Sequence, residues 1–206
     1  LSGMKLLVAE KPSVANQHYR PMLERCEGET FVKRDGFLQG KNYCITWCVG
    51  HLVTLATFDE YDGYNGMWKL DNLPLIPPSF KLKAIEGTKK QLQIVADLMT
   101  KSDTLINGAD AGREGNLIFD LVIDYHPHLR SKEIQRLWVN SFVAKDLDPA
   151  WKNLESSQDR INLSYAARLR QRADWLVGLN ATRAYTLTAG HGSLLSVGRV
   201  QTPTLN

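Results

Sequence analysis

The chain is most informative first in what it lacks. No run of apolar residues approaches the ~18 needed to span a membrane, and no secretory signal peptide is visible. Cysteine is scarce. Cys26, Cys44 and Cys48 are odd in number and match no zinc spacing with nearby histidine pairs, so they read as buried or incidental thiols of a reducing cytoplasm. There is no internal repeat and no low-complexity tract. Nor does one charge sign dominate. Twenty-five Lys and Arg stand against 22 Asp and Glu, a net charge of +3, and the isoelectric point is about 8.7. Such a balance permits nucleic acid as a partner without demanding it.

What is present is enough for a packed core: 206 residues, 43% of them hydrophobic, fill one domain and part of a second. Leu1-Ser2-Gly3 ahead of Met4 reads as an appended leader. Thr202-Pro203-Thr204-Leu205-Asn206 closes no helix or strand, so the chain reads as a piece of a longer protein.

Hydrophobic periodicity predicts an α/β arrangement followed by an all-α segment. Lys5–Ala9 reads as a buried parallel strand, and Pro12 suits the first turn of a helix that runs to about Tyr19, before Pro21. Residues 31–49 alternate around Asp35-Gly36 and Gly40-Lys41-Asn42, a hairpin pattern with Tyr43–Val49 as its best strand. Residues 57–78 are rich in Gly, Pro, Asp and Asn and read mostly as loop, followed by a short strand over 80–85. Residues 88–101 have helical spacing, 103–107 form the next strand, 113–125 a helix ending before Pro127, and 134–138 a further strand. From Lys145 onward no strand pattern is seen. Residues 146–154 and 161 to about 186 are helical, the latter with Ala166, Leu169, Ala173, Leu176 and Val177 as its apolar stripe.

Two acidic clusters lie one hundred residues apart, each at a strand, sharp turn, helix start: Glu10-Lys11-Pro12-Ser13 and Gly108-Ala109-Asp110-Ala111-Gly112-Arg113-Glu114-Gly115. In a parallel sheet such turns share the edge where ligands bind, so Glu10, Asp110 and Glu114 can meet in one site. Converging carboxylates repel unless a cation sits among them, and hard oxygen donors suit Mg²⁺. Arg113 offers a planar fork for phosphate at a helix N-terminus. The same segment is also compatible with a surface loop whose acids merely favour the helix start. Lys11 reads either as a surface ion pair with Glu10 or as a cation aimed at developing phosphate charge. His51 reads as a packed or capping histidine. Arg160, Arg168, Arg170, Arg172, Arg183 and Arg199, with Trp175 and Tyr185 among them, suggest either a basic groove for single-stranded nucleic acid or a solvated arginine face with Trp175 in the core.

These segments together resemble the type IA DNA topoisomerases, specifically the topoisomerase III group. The resemblance rests on Leu7-Val8-Ala9-Glu10-Lys11-Pro12-Ser13, Gly50-His51-Leu52, Asp110-Ala111-Gly112-Arg113-Glu114-Gly115, residues 172–184 and Ser196-Val197-Gly198-Arg199-Val200-Gln201-Thr202-Pro203, in order. It implies a Toprim domain, Rossmann-like with a mostly parallel sheet flanked by helices, over residues 4–150, and the start of a helical DNA-gripping domain over 151–206. It further implies that Glu10, Asp110 and Glu114 bind Mg²⁺, that Lys11 contacts the scissile phosphate, and that Arg170, Arg172, Ser196, Arg199 and Gln201 line a groove for DNA, chiefly single-stranded. The implied reaction cuts one strand with a tyrosine and reseals it without ATP. Many relatives carry Asp-x-Asp-x-Glu where this chain has Gly112 in the middle, which implies one ion or a weaker hold. No tyrosine here lies in a matching tyrosine motif, so the expected piece cannot cleave by itself. A primase or nuclease of the same domain type, or a non-catalytic DNA-binding α/β module, remain the alternatives, and the sequence names no helicase partner.

Overall fold

The computed structural model describes residues 3–61 and 67–204. Leu1-Ser2, residues 62–66 with Tyr64 among them, and Leu205-Asn206 lie outside the described residues. The strands are β1 (Lys5–Ala9), β2 (Val32–Arg34), β3 (Phe37–Gln39), β4 (Tyr43–Trp47), β5 (Val53–Leu55), β6 (Leu82–Ala84), β7 (Thr104–Gly108), β8 (Glu133–Arg136) and β9 (Glu155–Ser156). The α-helices are α1 (Pro12–Val14), α2 (Arg20–Glu27), α3 (Lys89–Lys101), α4 (Arg113–Tyr125), α5 (Ala144–Lys152), α6 (Ile161–Ala189) and α7 (Gln201–Thr204).

Seven strands form one sheet in the order β2-β3-β4-β1-β7-β8-β9. Its four central strands are parallel, while β2, β3 and β9 add antiparallel edges. The α/β class with flanking helices is thus present, in a sheet that is mixed at its margins. β1 is buried from Leu6 to Ala9, as a central parallel strand covered on both faces must be. Leu7, Ile45 and Ile106 share one apolar cluster with Met22, Leu23, Leu147 and Trp151, which places α2 and α5 on that face. Strand alternation leaves Leu6 and Leu105 for the opposite face, where α3 packs against β1 with Leu92, Val95, Ala96 and Met99 buried.

The chain divides into two compact units, and neither is one stretch of sequence: residues up to Thr54 go with Ala84–Ala167, and Leu55–Lys83 go with Arg168 onward. The second unit has its own small core of Leu55, Ala56, Phe58, Tyr61 and Trp175. Trp175 stacks on Phe58 at 5.1 Å between centroids and donates its indole N–H to the Ala56 carbonyl at 2.9 Å, so it is a core residue. No helix among the described residues is long and apolar enough to cross a membrane.

Several elements differ from expectation. Pro21 does not end the first helix. The chain continues through a π-helical stretch, Ala15–Tyr19, into α2, where Pro21 lies in the first turn and its missing N–H is not needed. Gly28, at φ +66°, ends that helix instead. β9 exists although no strand was expected beyond Lys145; two residues are too few for a period-two pattern. β5 was not foreseen either, and pairs with β6 in a two-stranded ribbon. On α6 the expected apolar stripe is not the covered face. Leu169 and Val177 are exposed, and Ser164, Ala167, Trp175 and Arg183 are buried instead.

Leu7 is fully buried between two parallel partners. Leu7→Ala should cost about 2–5 kcal/mol, read as a lower urea midpoint with an unchanged slope; a shift under about 1 kcal/mol would show that the sheet centre repacks.

Candidate active site

Parallel pairing sets the carboxyl ends of four strands side by side. Ala9 lies in register with Trp47 on one side and Gly108 on the other, and Asn107 with Arg136. The segments that leave this edge carry Glu10 and Lys11, the Cys48–His51 turn, the acidic turn at 108–112, and Leu137. Backbone bonds tie them further: the Cys48 N–H donates to the Ala9 carbonyl at 2.8 Å and the Leu137 N–H to the Asn107 carbonyl at 3.0 Å.

Glu10 and Asp110 meet here. The Glu10 carboxylate accepts the backbone N–H of Asp110 at 3.1 Å. Glu10 is largely covered, with 12% of its side chain exposed, whereas Asp110 faces solvent. Glu114 stands on the first turn of α4, 70% exposed, and its Oε1 lies 2.6 Å from His51 Nε2. His51 is therefore the partner of an acid and not a packing or capping residue, a role that only tertiary proximity reveals. Lys11 is mostly exposed, with its Nζ 3.9 Å from Glu10, and Arg113 is exposed on the same helix start.

A buried arginine at the end of β8 lies beneath the turn. Arg136 is 1% exposed. Its guanidinium donates to the carbonyls of Asn107 (2.9 Å), Ala109 (2.7 Å), Leu137 (2.9 Å) and Asp110 (2.8 Å), and to Asn116 Oδ1 (3.0 Å). Burial pulls its pKa down to about 10, which leaves it a cation at neutral pH. Tyr19, also fully buried, donates its hydroxyl to the Gly108 carbonyl at 2.5 Å. Burial holds that phenol well above the ordinary tyrosine range, and the nearby Asp110 and Glu10 add to the shift. Burial pushes the Cys48 thiol up to about 12, with Glu10 contributing. A buried cation of this kind must be partnered, and here every partner is supplied by the turn and its neighbours.

The glycines of the turn differ in role. A Cβ on Gly115 would lie 2.1 Å from the Asp110 carbonyl oxygen, and one on Gly108 would meet Leu7 and Tyr19 below 3.0 Å. Gly112 has nothing within 4 Å and an extended backbone, φ 168°, at the N-cap of α4. Close approach of the backbone thus needs glycine at 108 and 115, but not at 112.

The chemistry of the donors fits a hydrated Mg²⁺, which takes one or two carboxylates and keeps waters for exchange with phosphate oxygens. Glu10 and Asp110 are two such donors at one edge. The expected triad is not gathered, because Glu114 is turned to His51. Among the described residues no group of three or more His, Cys, Asp or Glu stands close enough to hold a metal.

In the second unit the segment 193–198 returns along α6, with the Leu195 and Val197 N–H groups donating to Thr186 Oγ1 and Thr182 Oγ1 at 3.0 and 2.9 Å. A cavity of about 300 Å³ opens there, lined by Asp174, Val177, Gly178, Arg199 and Gln201 among others. Arg199 forks onto the Asp174 carboxylate at 2.8 and 3.2 Å, and Arg170 approaches it at 4.0 Å. Arg199 holds the Asp174 carboxyl below the usual carboxylate range. Arg172 is exposed, its guanidinium 5.2 Å from the Phe80 ring centre, and Ser196 is exposed. Two of the sequence-selected arginines are committed elsewhere. Arg183 is buried over Phe58 at 3.7 Å. In the first unit, Arg160 forks onto Glu155 at 2.7 and 2.8 Å.

The Toprim domain family matches residues 5–142, and the DNA topoisomerase family matches residues 158–206. DNA topoisomerase 3 of Staphylococcus aureus strain USA300 is 42% identical over 202 residues, which is 97% of this chain and 27% of that protein. A putative DNA topoisomerase 3 of the bovine strain RF122 is 41% identical over the same shares. The chain therefore spans about a quarter of the length of the curated relatives it matches. Full-length topoisomerase I from Thermotoga maritima superposes with a TM-score of 0.60 at 20% identity, over 97% of this chain and 29% of that one, a likeness of fold.

The contrast between the glycines is testable by urea unfolding. Gly115→Ala should cost roughly 1–3 kcal/mol, because backbone must move. Gly112→Asp should cost nothing or stabilise slightly, because Asp suits an extended N-cap. The reverse order would refute the steric account of the turn.

Proposed function

This chain belongs to the Toprim family, as the N-terminal region of a type IA DNA topoisomerase, and from that premise we propose that it carries the metal-holding and strand-holding part of an enzyme that cuts and reseals one DNA strand without ATP. The observation that carries the reading is the meeting of Glu10 with the Asp110 turn at the shared edge of β1 and β7. In this reading residues 4–150 are the metal-binding domain and 151–206 open the DNA-gripping domain, and the protein works in the cytoplasm. The match of residues 158–206 to a DNA topoisomerase family weighs against a primase or nuclease.

Glu10 and Asp110 bind one hydrated Mg²⁺, with Glu114 as the third acid held in reserve by His51. When bound, the ion offsets negative charge on a phosphate. Lys11, mostly exposed beside Glu10, meets the scissile phosphate, and Arg113 adds a second cation at the start of α4. Arg170, Arg172, Ser196, Arg199 and Gln201 hold single-stranded DNA through its phosphates.

In this reading none of the seven tyrosines of this chain is the nucleophile, because none lies in a matching tyrosine motif, and three of them are also tied down. Tyr19 is spent on the Gly108 carbonyl. Burial, with Glu27 beside it, pushes Tyr43 up to about 12. Tyr61 accepts the Lys81 N–H at 3.0 Å with its hydroxyl. A phenol that is buried and hydrogen-bonded is a poor attacking group.

Fluorescence anisotropy with a labelled single-stranded oligonucleotide tests the strand-holding part. Affinity should fall as salt rises, because bound arginines displace condensed counterions. Arg172→Ala should weaken binding for all sequences alike. Asp174→Asn should strengthen it, because Arg199 and Arg170 lose their carboxylate. The same oligonucleotide on a denaturing gel should show no protein-linked band. Parent-like affinity in both variants would move the groove elsewhere, and a linked band would make one of these tyrosines the nucleophile.

A further inference from the structure

The acidic turn is held by more than strand pairing. From Asn107 to Asp110 every backbone carbonyl is the acceptor of a buried side chain: Arg136 takes 107, 109 and 110, and Tyr19 takes 108. The N–H groups are taken as well, Ala109 by its neighbour Asn107 Oδ1 at 3.0 Å and Asp110 by Glu10. Each of these carbonyls carries partial negative charge, and Asp110 and Glu10 add full charges. A buried cation beneath them lowers the repulsion that would otherwise spread the turn.

We infer that Arg136 and Tyr19 form a carbonyl clamp that fixes the acidic turn in its ion-accepting shape before any metal arrives, with Arg136 as a positioning residue that never touches the ion. The inference rests on the reading of Glu10 and Asp110 as metal ligands, and it names the part of the fold that makes them a site. A guanidinium is needed because its planar fork reaches carbonyls on both β7 and the turn. A lysine ammonium has three donors on one atom and cannot span them. Asn116 completes the clamp: it accepts from Arg136 Nε and turns its amide toward Ser164 Oγ at 3.4 Å, which fixes the guanidinium plane. Outer residues that orient metal ligands in this way typically change metal affinity about 10- to 100-fold when removed.

Two variants separate clamp from core. Arg136→Lys keeps the charge and loses the fork; Tyr19→Phe keeps the ring and loses one hydroxyl. Amide hydrogen exchange of the metal-free chain is the first readout. In either variant the Ala109 and Asp110 amides should exchange faster, on the order of 10-fold, while amides within β1 and α3 keep their parent rates. A merely structural role would speed all of them together, and that result, or unchanged exchange at the turn in both variants, would overturn the clamp. Tyr19→Phe decides the matter if Arg136→Lys does not fold. Mn²⁺ binding, followed by electron paramagnetic resonance, is the second readout and should weaken at least about 10-fold in Arg136→Lys. Parent-like Mn²⁺ binding in a variant with a loosened turn would also overturn the inference. A parent chain that binds no Mn²⁺ would instead sink the metal-site reading, while exchange still decides whether the clamp exists.

Discussion

Arg136 is a full cation with almost no access to water, and the shape of the acidic edge follows from how its charge is satisfied. Taking a guanidinium out of water costs several kcal/mol. Hydrogen bonds from a charged donor return roughly 1.5–3 kcal/mol each, and this group has five acceptors. Four of those are backbone carbonyls of β7's exit and of Leu137, so the guanidinium is stable only if that backbone keeps one conformation. The requirement propagates outward. Gly108 must lack a side chain to let Tyr19 and Leu7 close in, and Gly115 must lack one because the Asp110 carbonyl occupies the space. The backbone that carries Asp110, whose N–H Glu10 accepts, is then held by buried groups beneath it.

The second unit follows a different rule. Its cations are not buried under a turn but balanced on the surface by Asp174, which receives Arg199 in a fork and Arg170 more distantly. Surface pairs of this kind are weak and screened by salt, so a polyanion can displace the carboxylate. Arg183 shows the opposite case: buried between the rings of Phe58 and Trp68, it belongs to the packing of this unit.

The parts of this structure that sequence could disclose are those governed by local pattern. The apolar runs at Leu6–Ala9 and Thr104–Ile106 appear as β1 and β7, the helical spacing of 88–101 as α3, and the acidic turns at matching strand ends. Where pattern failed, a non-local term decided. Proline is read as a helix breaker on the assumption of α geometry, and a π-helical stretch ahead of Pro21 removes the conflict. The exposed Leu169 and Val177 on α6 show that periodicity finds a stripe without saying whether anything covers it. The partners of His51 and Arg136 could not be read from local pattern, since the acid that meets His51 lies 63 positions away and three of the carbonyls that hold Arg136 lie 26 to 29 positions upstream.

On the reading proposed, the metal-free fold already presents Glu10 and Asp110 as a ligand pair. The most direct measurement is an anomalous difference map from crystals of this chain before and after soaking in Mn²⁺. One peak is expected at the Glu10 and Asp110 carboxylates, with the Arg136 and Tyr19 bonds to the turn unchanged between the two crystals. A peak elsewhere, no peak at saturating Mn²⁺, or a turn that rebuilds itself around the ion would contradict it.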